Sequence, residues 1–344
     1  MKKSLLALAA LASFAGAASA QSSVTLFGIV DAAYAHVSAG GKSNKGMTNS
    51  GLNSSRLGFR GVEDLGGGLR AGFHIEGQLT NDDGNAAGQT WQRRSTVSLM
   101  GNFGEIRLGR DYVPTFWNTT VYDPFGTNGV GQALTPNLIG AAGTPTNSVR
   151  ANNSVSYFLP SNLGGFSGQI MYAFGESNLN ATGKKANDYF GGRVGYAAGP
   201  LSVHGAYGKT KGATSGTDTK YTNFGASYNF GVITPMVQFD QEKNGAGNTK
   251  INAWLAGVVV PLGQGELRAA YSDYDLKNSN NDWKKLAIGY GYNLSKRTQM
   301  YATYARVAND GAQTKTVSNN GLAAPSPNGG GNATGYELGI RHSF

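Results

Sequence analysis

The chain has 344 residues, with 52 Gly, 17 Tyr, 15 Phe, no Cys and a formal charge of +9. The lack of Cys excludes a disulfide framework and thiolate chemistry. No run of about 18 apolar residues follows residue 20, which excludes a membrane-spanning helix. The positive balance favours anionic partners, and an ordinary basic surface would give the same number.

Taken in order, the chain opens with MKKSLLALAALASFAGAASA. Lys2 and Lys3, an apolar run from Leu5 to Ala18 and the small residues Ala18-Ser19-Ala20 predict a secretory signal peptide over residues 1–20. Removal would leave 344 − 20 = 324 residues starting at Gln21. From Val24 the sequence alternates strictly: Val24, Leu26, Gly28, Val30 and Ala32 share one face, and Thr25, Phe27, Ile29 and Asp31 the other. A polar loop is expected from Ser38 to Asn53. Next comes a hairpin whose greasy face holds Leu57, Phe59, Leu69, Ala71, Phe73 and Ile75. Its polar face holds Arg56, Arg60, Arg70, His74 and Glu76. A further strand near Arg93 to Gly101 turns at Asn102-Phe103-Gly104 into Glu105 to Arg110.

The stretch between Arg110 and Arg150 breaks the pattern. Pro114, Pro124 and Pro136, with several Gly and Asn, interrupt any ladder. A structureless loop of this length is unusual inside a compact domain and usually functional. It also carries apolar groups that need burial, among them Phe116, Trp117, Val121, Tyr122, Phe125, Leu134, Leu138 and Ile139. The reading is a loop, about 111–149, folded inward to constrict a water-filled barrel.

Beyond it the strand pattern resumes. Short turns fall at Pro160 to Gly165, Ala197 to Pro200, Asn229 to Gly231, Pro261 to Gly265 and Asn293 to Lys296. They alternate with polar stretches at Lys211–Thr219, Glu242–Lys250, Lys277–Asp282 and Asn309–Asn332. Turns at one rim and loops at the other are the mark of a membrane barrel. At roughly 20 residues per strand and its share of connections, 324 residues give about 16 strands. The fold class is therefore all-β, a transmembrane antiparallel β-barrel filling residues 21–344. A soluble sandwich would need a dry core that the inward Arg, Glu, Asp, Lys and Gln could not tolerate. The last strand sets Tyr336, Leu338, Ile340, His342 and Phe344 on one face. It is expected to close the barrel so that no edge stands unpaired in lipid.

The stretches VTLFGIVDAAY, SSRLGFRGVEDLGGGLRAGFHIEG and LSKRTQMYATYARV, with the strand ending at Phe344, resemble the trimeric sixteen-stranded porins of Gram-negative outer membranes. The branch typical of beta-proteobacteria is the most similar. The resemblance implies a diffusion channel in the cell outer membrane, assembled as a homotrimer among outer-membrane lipid and lipopolysaccharide. Its solutes would be small and anionic; it implies no nucleic acid. Val121 to Gly126 resembles the tip of the family's inward loop, here Pro124, Phe125 and Gly126. In this chain the acid precedes the proline, and Thr127 and Asn128 stand where some members carry another acid. Arg56, Arg93 and Arg150 match the family's basic wall cluster. Alternation with Val97 and Leu99 outward would instead turn Arg94 into the lumen. The motif match favours Arg93, with Val97 and Leu99 then inside. Arg60, Arg107 and Arg110 are further wall candidates. The acids available to face them from the loop are Asp111 and Asp123, so the narrow point should be net positive.

Other chemistry finds little support. His36, His74, His204 and His342 stand singly, without metal-ligand spacing. His342 and Ser343 are adjacent on a strand and point to opposite faces, so no hydrolytic triad assembles. Asn81 to Asn85 is acidic but lacks the bidentate Glu of a calcium loop. Gly129-Val130-Gly131 has no following helix or Lys-Ser/Thr and is no phosphate loop. No metal and no cofactor is expected. Three functions stay open: a general diffusion channel, a channel with a saturable site, and a plugged barrel with a structural or adhesive role.

Overall fold

The computed structural model describes residues 23–84, 90–133, 148–176, 186–318 and 321–344. The segment assigned to a signal peptide, the calcium candidate Asn85, and the loop residues Leu134, Pro136, Leu138 and Ile139 lie outside the described residues.

The strands are β1 (Ser23–Ala39), β2 (Lys42–Asn49), β3 (Arg56–Gly66), β4 (Leu69–Gln78), β5 (Arg94–Gly101) and β6 (Gly104–Tyr112). A helix α1 (Pro114–Val121) separates these from β7 (Arg150–Phe158), β8 (Phe166–Ala173), β9 (Tyr189–Ala198), β10 (Leu201–Thr210), β11 (Thr219–Tyr228) and β12 (Thr234–Asn244). The chain continues through β13 (Thr249–Leu262), β14 (Gly265–Leu276), β15 (Trp283–Asn293), β16 (Thr298–Asn309) and β17 (Ala333–Ser343). Each strand from β3 to β17 pairs antiparallel with the next, and β17 pairs back onto β1 from Ile29↔Ser343 to Ala39↔Ala333. The sheet is thus a closed barrel. β2 and β3 share one position in it. β2 covers the upper half of β1 (Ala32↔Asn49 to Ala39↔Lys42), and β3 covers the lower half (Ser23↔Val62 to Ile29↔Arg56). The described strands therefore fill sixteen positions.

The polar segment expected as loop, Ser38 to Asn53, is mostly strand: β1 runs to Ala39, turns at Gly40-Gly41 and returns as β2. The residues are polar because this hairpin stands at the loop-bearing rim, where no lipid demands an apolar face. Glu242 to Lys250 is likewise strand except for residues 245–248. The break between β2 and β3 is held by Asp31. Its buried carboxylate accepts the N–H groups of Leu52 (2.8 Å) and Asn53 (2.6 Å) and the Tyr301 hydroxyl (2.6 Å).

Alternation sorts the two faces as the sequence indicates. Val24, Leu26, Val30, Phe73, Trp254, Leu286, Met300, Leu338 and Ile340 are exposed on the outside, while Glu76, Ser156, Gln238, Glu242 and Glu337 are buried inside. Of the small residues on early strands, Gly28 and Ala32 share the outward face of Val24 and Leu26. Gly58 and Gly72 face inward, because Gly58 pairs with Phe27 and Glu76 and Gly72 lies against Met100. Those two glycines give the outer wall no flat patch.

Closure rests on two backbone hydrogen bonds beyond the regular ladder: Phe344 N–H to the Gly28 carbonyl (3.1 Å) and Gly28 N–H to the Phe344 carbonyl (3.2 Å). A Cβ on Gly28 would overlap the Phe344 ring. The absent side chain is what lets the ring lie flat on the seam. Deleting Phe344, or replacing Gly28 by Val, is expected to lower the heat-modifiable, folded fraction in outer membranes. Gel mobility of unboiled against boiled samples checks this, and unchanged levels in both variants would remove the seam's role.

Candidate functional site

At the end of β6 the chain leaves the wall and turns into the lumen. Residues 114–121 are not structureless there. Pro114 occupies the first turn, where its missing N–H is harmless, and the helix runs to Val121. The helix lies against the inner faces of β9, β10 and β11. Asn118 donates to the His204 carbonyl and the Asn223 side chain (both 3.1 Å) and accepts from Arg193 (2.5 Å). Asn223 donates back to the Thr115 carbonyl (2.8 Å), and the Tyr122 hydroxyl sits 2.7 Å from His204 Nδ1. These wall groups satisfy polar atoms that the helix would otherwise bury unpaired.

The tip continues along the same wall. Cβ atoms placed on Gly225 and Gly257 would run into Tyr122 and Pro124, and one on Gly289 would strike the Thr303 hydroxyl first and come within 3.1 Å of the Phe125 ring. These three glycines, on β11, β13 and β15, open the groove that seats the tip. Asp123 is buried and accepts N–H bonds from Phe125 (2.9 Å), Thr127 (3.0 Å) and Ala133 (2.9 Å). Farther on, Val130 N–H donates to Glu337 (3.0 Å), Lys285 donates to the Gln132 carbonyl, and Ser54 reaches Asn128 (2.7 Å). Gly129 has φ +60°, and any Cβ there would strike Glu337 and the Gly51 carbonyl. Only glycine suits both constraints.

The wall left uncovered runs from β3 to β7, and it carries the arginines. Arg56, Arg93 and Arg150 do converge. Glu76 lies 2.5 Å from Arg93 Nε and 3.6 Å from Arg56 Nη1. The Tyr112 hydroxyl accepts from Arg93 (3.0 Å) and Arg150 (2.8 Å), and Arg150 also stacks 4.4 Å above the Tyr112 ring. A second group sits beside it. Asp111 is 2.6 Å from Arg107 and 3.8 Å from Arg94, while Glu105 holds Arg107 at 2.8 Å.

The choice between Arg93 and Arg94 resolves in favour of both. Arg94 opens β5 and faces inward with Thr96 and Ser98. Arg93 precedes the strand, so alternation does not bind it. Val97 and Leu99 are 55% and 39% exposed and face outward, which corrects the reading that put them inside. Arg93 is only 6% exposed and backs the site, whereas Arg56 (22%) and Arg94 (21%) present part of their guanidinium to the lumen. Arg60 lies lower on the inward face and stacks 5.2 Å over Phe27. Arg110 pairs with Ser95 and donates to the Gln92 carbonyl (2.5 Å) and to Asn152, which ties down the wall at the loop's root.

Of the two acids expected to face the arginines from the loop, Asp111 meets Arg107 and Arg94 but does so from β6, and Asp123 does not meet them. Asp111 belongs to the wall beside Arg107, and Asp123 is consumed by the loop's own N–H groups. Pro124 and Phe125 are buried against the far wall, and Gly126 is half-buried beside them. The sequence reading set Glu76 on the inward face without assigning it to the cluster, and missed Tyr112. The pairing of Gly58 with Glu76 across the β3–β4 hairpin carries the signal, since it places the carboxylate two residues from Arg56 on one face. Tyr122 is fully buried and forms no aromatic ladder in the lumen. Phe116 and Trp117 pack on Tyr112 at 5.0 and 5.2 Å. Among the described residues no three His, Cys, Asp or Glu gather as a metal site.

A closed sixteen-position barrel with a loop narrowing its polar lumen is a transmembrane channel. Residues 7–312 match the model of the Gram-negative porin family, and the chain belongs to that family. It is 46% identical to outer membrane porin protein 32 of Delftia acidovorans over the full length of both chains. It is 31% identical to an outer membrane porin protein of Bordetella pertussis, covering 89% of this chain and 94% of that one. The solved structure titled an anion-selective porin from Comamonas acidovorans superposes with a TM-score of 0.87 at 44% identity, covering 94% of this chain and all of that one. The protein is a multi-pass β-barrel of the outer membrane and forms a passive diffusion channel.

Glu76→Gln removes the carboxylate shared by Arg56 and Arg93. A unit charge about 8 Å from a passing ion in water is worth about 0.5 kcal/mol, a factor of about 2 in ion preference. The variant is expected to shift the zero-current potential toward anions by at least that factor, with a lower folded yield because two guanidinium groups lose their partner. A shift toward cations would contradict the assignment.

Proposed function

We propose that the channel prefers anions and passes phosphate, sulfate and small organic acids without a tight site. The observation that carries this is the charge balance of the exposed wall. Six guanidinium groups (Arg56, Arg60, Arg93, Arg94, Arg107, Arg150) stand there with three carboxylates (Glu76, Glu105, Asp111), a difference of 6 − 3 = 3 positive charges. The described loop residues add no free acid to offset them. The loop's described hold points are Asn118, Tyr122, Lys285 and Glu337, so Arg56 and Arg94 are not spent on pinning it. Weak, repeated attraction suits conduction, since tight binding would slow passage. The anion-selective title of the Comamonas structure is consistent with this reading.

The rest of the proposal concerns processing and assembly. Residues 1–20 serve as a cleaved export signal, and the mature barrel is a homotrimer with no enzymatic role and no cofactor. An apolar outer groove lined by Ala32, Tyr34, Met47, Met300, Leu338 and Ile340, on β1, β2, β16 and β17, supports packing between barrels there. An unboiled species about three times the monomer mass that collapses on heating is the expected gel result, and a monomer by native mass measurement would end the trimer proposal.

Selectivity is tested by the zero-current potential of reconstituted channels across a KCl gradient. Anion preference of on the order of tenfold is expected at 0.1 M salt, from about 1.4 kcal/mol in total. It should fade toward 1 M as the screening length falls from about 10 Å to about 3 Å. Arg56→Glu with Arg150→Glu should reverse or abolish it. Cation preference in the wild type, or an unchanged potential in the double variant, would overturn the proposal.

A further inference from the structure

The loop helix α1 has two faces. Pro114, Thr115, Asn118 and Thr119 are its buried residues, turned to the wall. Trp117 and Val121 lie one turn apart on the face left over. Trp117 is half-buried, and Val121 is 42% exposed. Lipid cannot account for them, because α1 lies inside the barrel. Single exposed apolar groups are ordinary, whereas a continuous apolar surface marks a place of contact. Here the surface is continuous. Trp117 meets the Tyr112 ring edge to face at 5.2 Å, and Phe116 stacks on the same ring at 5.0 Å with 21° between the planes. Together they form an apolar shelf beside the water-filled path.

The shelf joins the arginine cluster through one residue. The Tyr112 hydroxyl accepts from Arg93 and Arg150, and the Arg150 guanidinium lies 4.4 Å from the centre of the Tyr112 ring. Arg56 shares Glu76 with Arg93 and keeps 22% of its side chain exposed. Positive charge and apolar surface therefore meet at Tyr112. A chloride or sulfate ion uses only the charge. A solute that uses both parts has a carboxylate at one end and an apolar body at the other. The shelf also selects the shape of that body. Indole, phenol and guanidinium groups are flat, and a flat π-system stacks on them where a puckered ring cannot.

We infer that Trp117, with Val121 beside it, is a specificity-determining face of the constriction, favouring aromatic carboxylates over aliphatic carboxylates of the same charge and similar size. The carboxylate is drawn to Arg56 and Arg150, and the ring lies along Trp117. This rests on the anion-preferring reading of the arginine wall and adds a ranking among anions. The contact is weak and transient, as passage requires.

The test follows chloride current through reconstituted channels in dilute KCl while benzoate or cyclohexanecarboxylate is added. The two anions match in charge and ring size and differ in planarity and π-face. In the wild type, benzoate should halve the current at a concentration about fivefold lower, the worth of one aromatic contact. Trp117→Leu should bring the two concentrations together, and Trp117→Phe should keep most of the gap. Trp254→Leu, on the outer wall, should match wild type. Were Trp117 only a prop for Tyr112, its loss would shift both anions alike and leave their ratio unchanged. Should Trp117→Leu show no heat-modifiable folded form, Val121→Ser takes its place and should narrow the gap. Equal potency of the two anions in the wild type, or a wild-type ratio in the folded Trp117→Leu or Val121→Ser variant, would overturn the inference. The zero-current potential in KCl alone, taken on the same channels, keeps the two readings apart. Anion preference with equal potencies would overturn this inference and leave the anion reading standing, whereas cation preference would remove the charged half of the site and overturn both.

Discussion

The structure depends first on one constraint: no backbone N–H or C=O can face hydrocarbon unpaired. The pairing of β17 with β1 meets it, and everything inside the barrel follows from that closure. Once the sheet is a cylinder, strand alternation becomes a partition between lipid and water. Residues on one parity must be apolar, and residues on the other are free to be charged. The asymmetry of the lumen, with arginines on β3 to β7 and a loop covering much of the far wall, is possible only because the cylinder protects both.

Inside, charge is arranged by consumption. The carboxylates near the constriction are each assigned: Glu76 to Arg56 and Arg93, Asp111 to Arg107 and Arg94, and Asp123 to the loop backbone. There are more guanidinium groups than carboxylates, so the surplus charge is set by composition, and its position by which arginines keep some exposure. Arg93 is the most enclosed of the pair at the start of β5, and its part is to hold Glu76 and Tyr112 in place. Arg56 and Arg94 are the ones a passing ion meets. A basic patch on a flat surface would be screened by solvent from all sides, whereas a lumen narrowed by a loop keeps its ions within a few ångströms of the charge.

Much of this was legible in the sequence because the period of a strand is a strong signal. The outward set Val24, Leu26 and Val30 and the closing set Tyr336, Leu338, Ile340 and Phe344 were readable directly. Legibility failed where alternation stopped governing. Arg93 stands one residue outside its strand, so no parity argument places it. Residues 42–49 are strand without an apolar face, because they rise beyond the lipid where hydrophobic pattern carries no information. The short helix at 114–121 owes its form to Asn223, His204 and Arg193, more than 70 positions away in the chain. The role of Asp123 was hidden for a related reason. A carboxylate that faces a guanidinium and one that accepts three N–H bonds look the same in sequence, and only the fold of the following ten residues distinguishes them.

The loop tip separates two kinds of information. Its curvature is written locally, since the three N–H groups held by Asp123 all lie between Phe125 and Ala133. Its location is written elsewhere, in Gly225, Gly257 and Gly289, which lie on three successive hairpins at equal intervals (257 − 225 = 32 and 289 − 257 = 32). Aperture and tip shape can therefore diverge independently in descendants of this chain. Added volume at a single wall position would translate the whole turn toward the axis as a unit. Substitutions within the turn would alter what the solute touches while leaving the berth intact. A lineage of such channels has two nearly orthogonal dials, one for size and one for chemistry, and each can be adjusted without relearning the other.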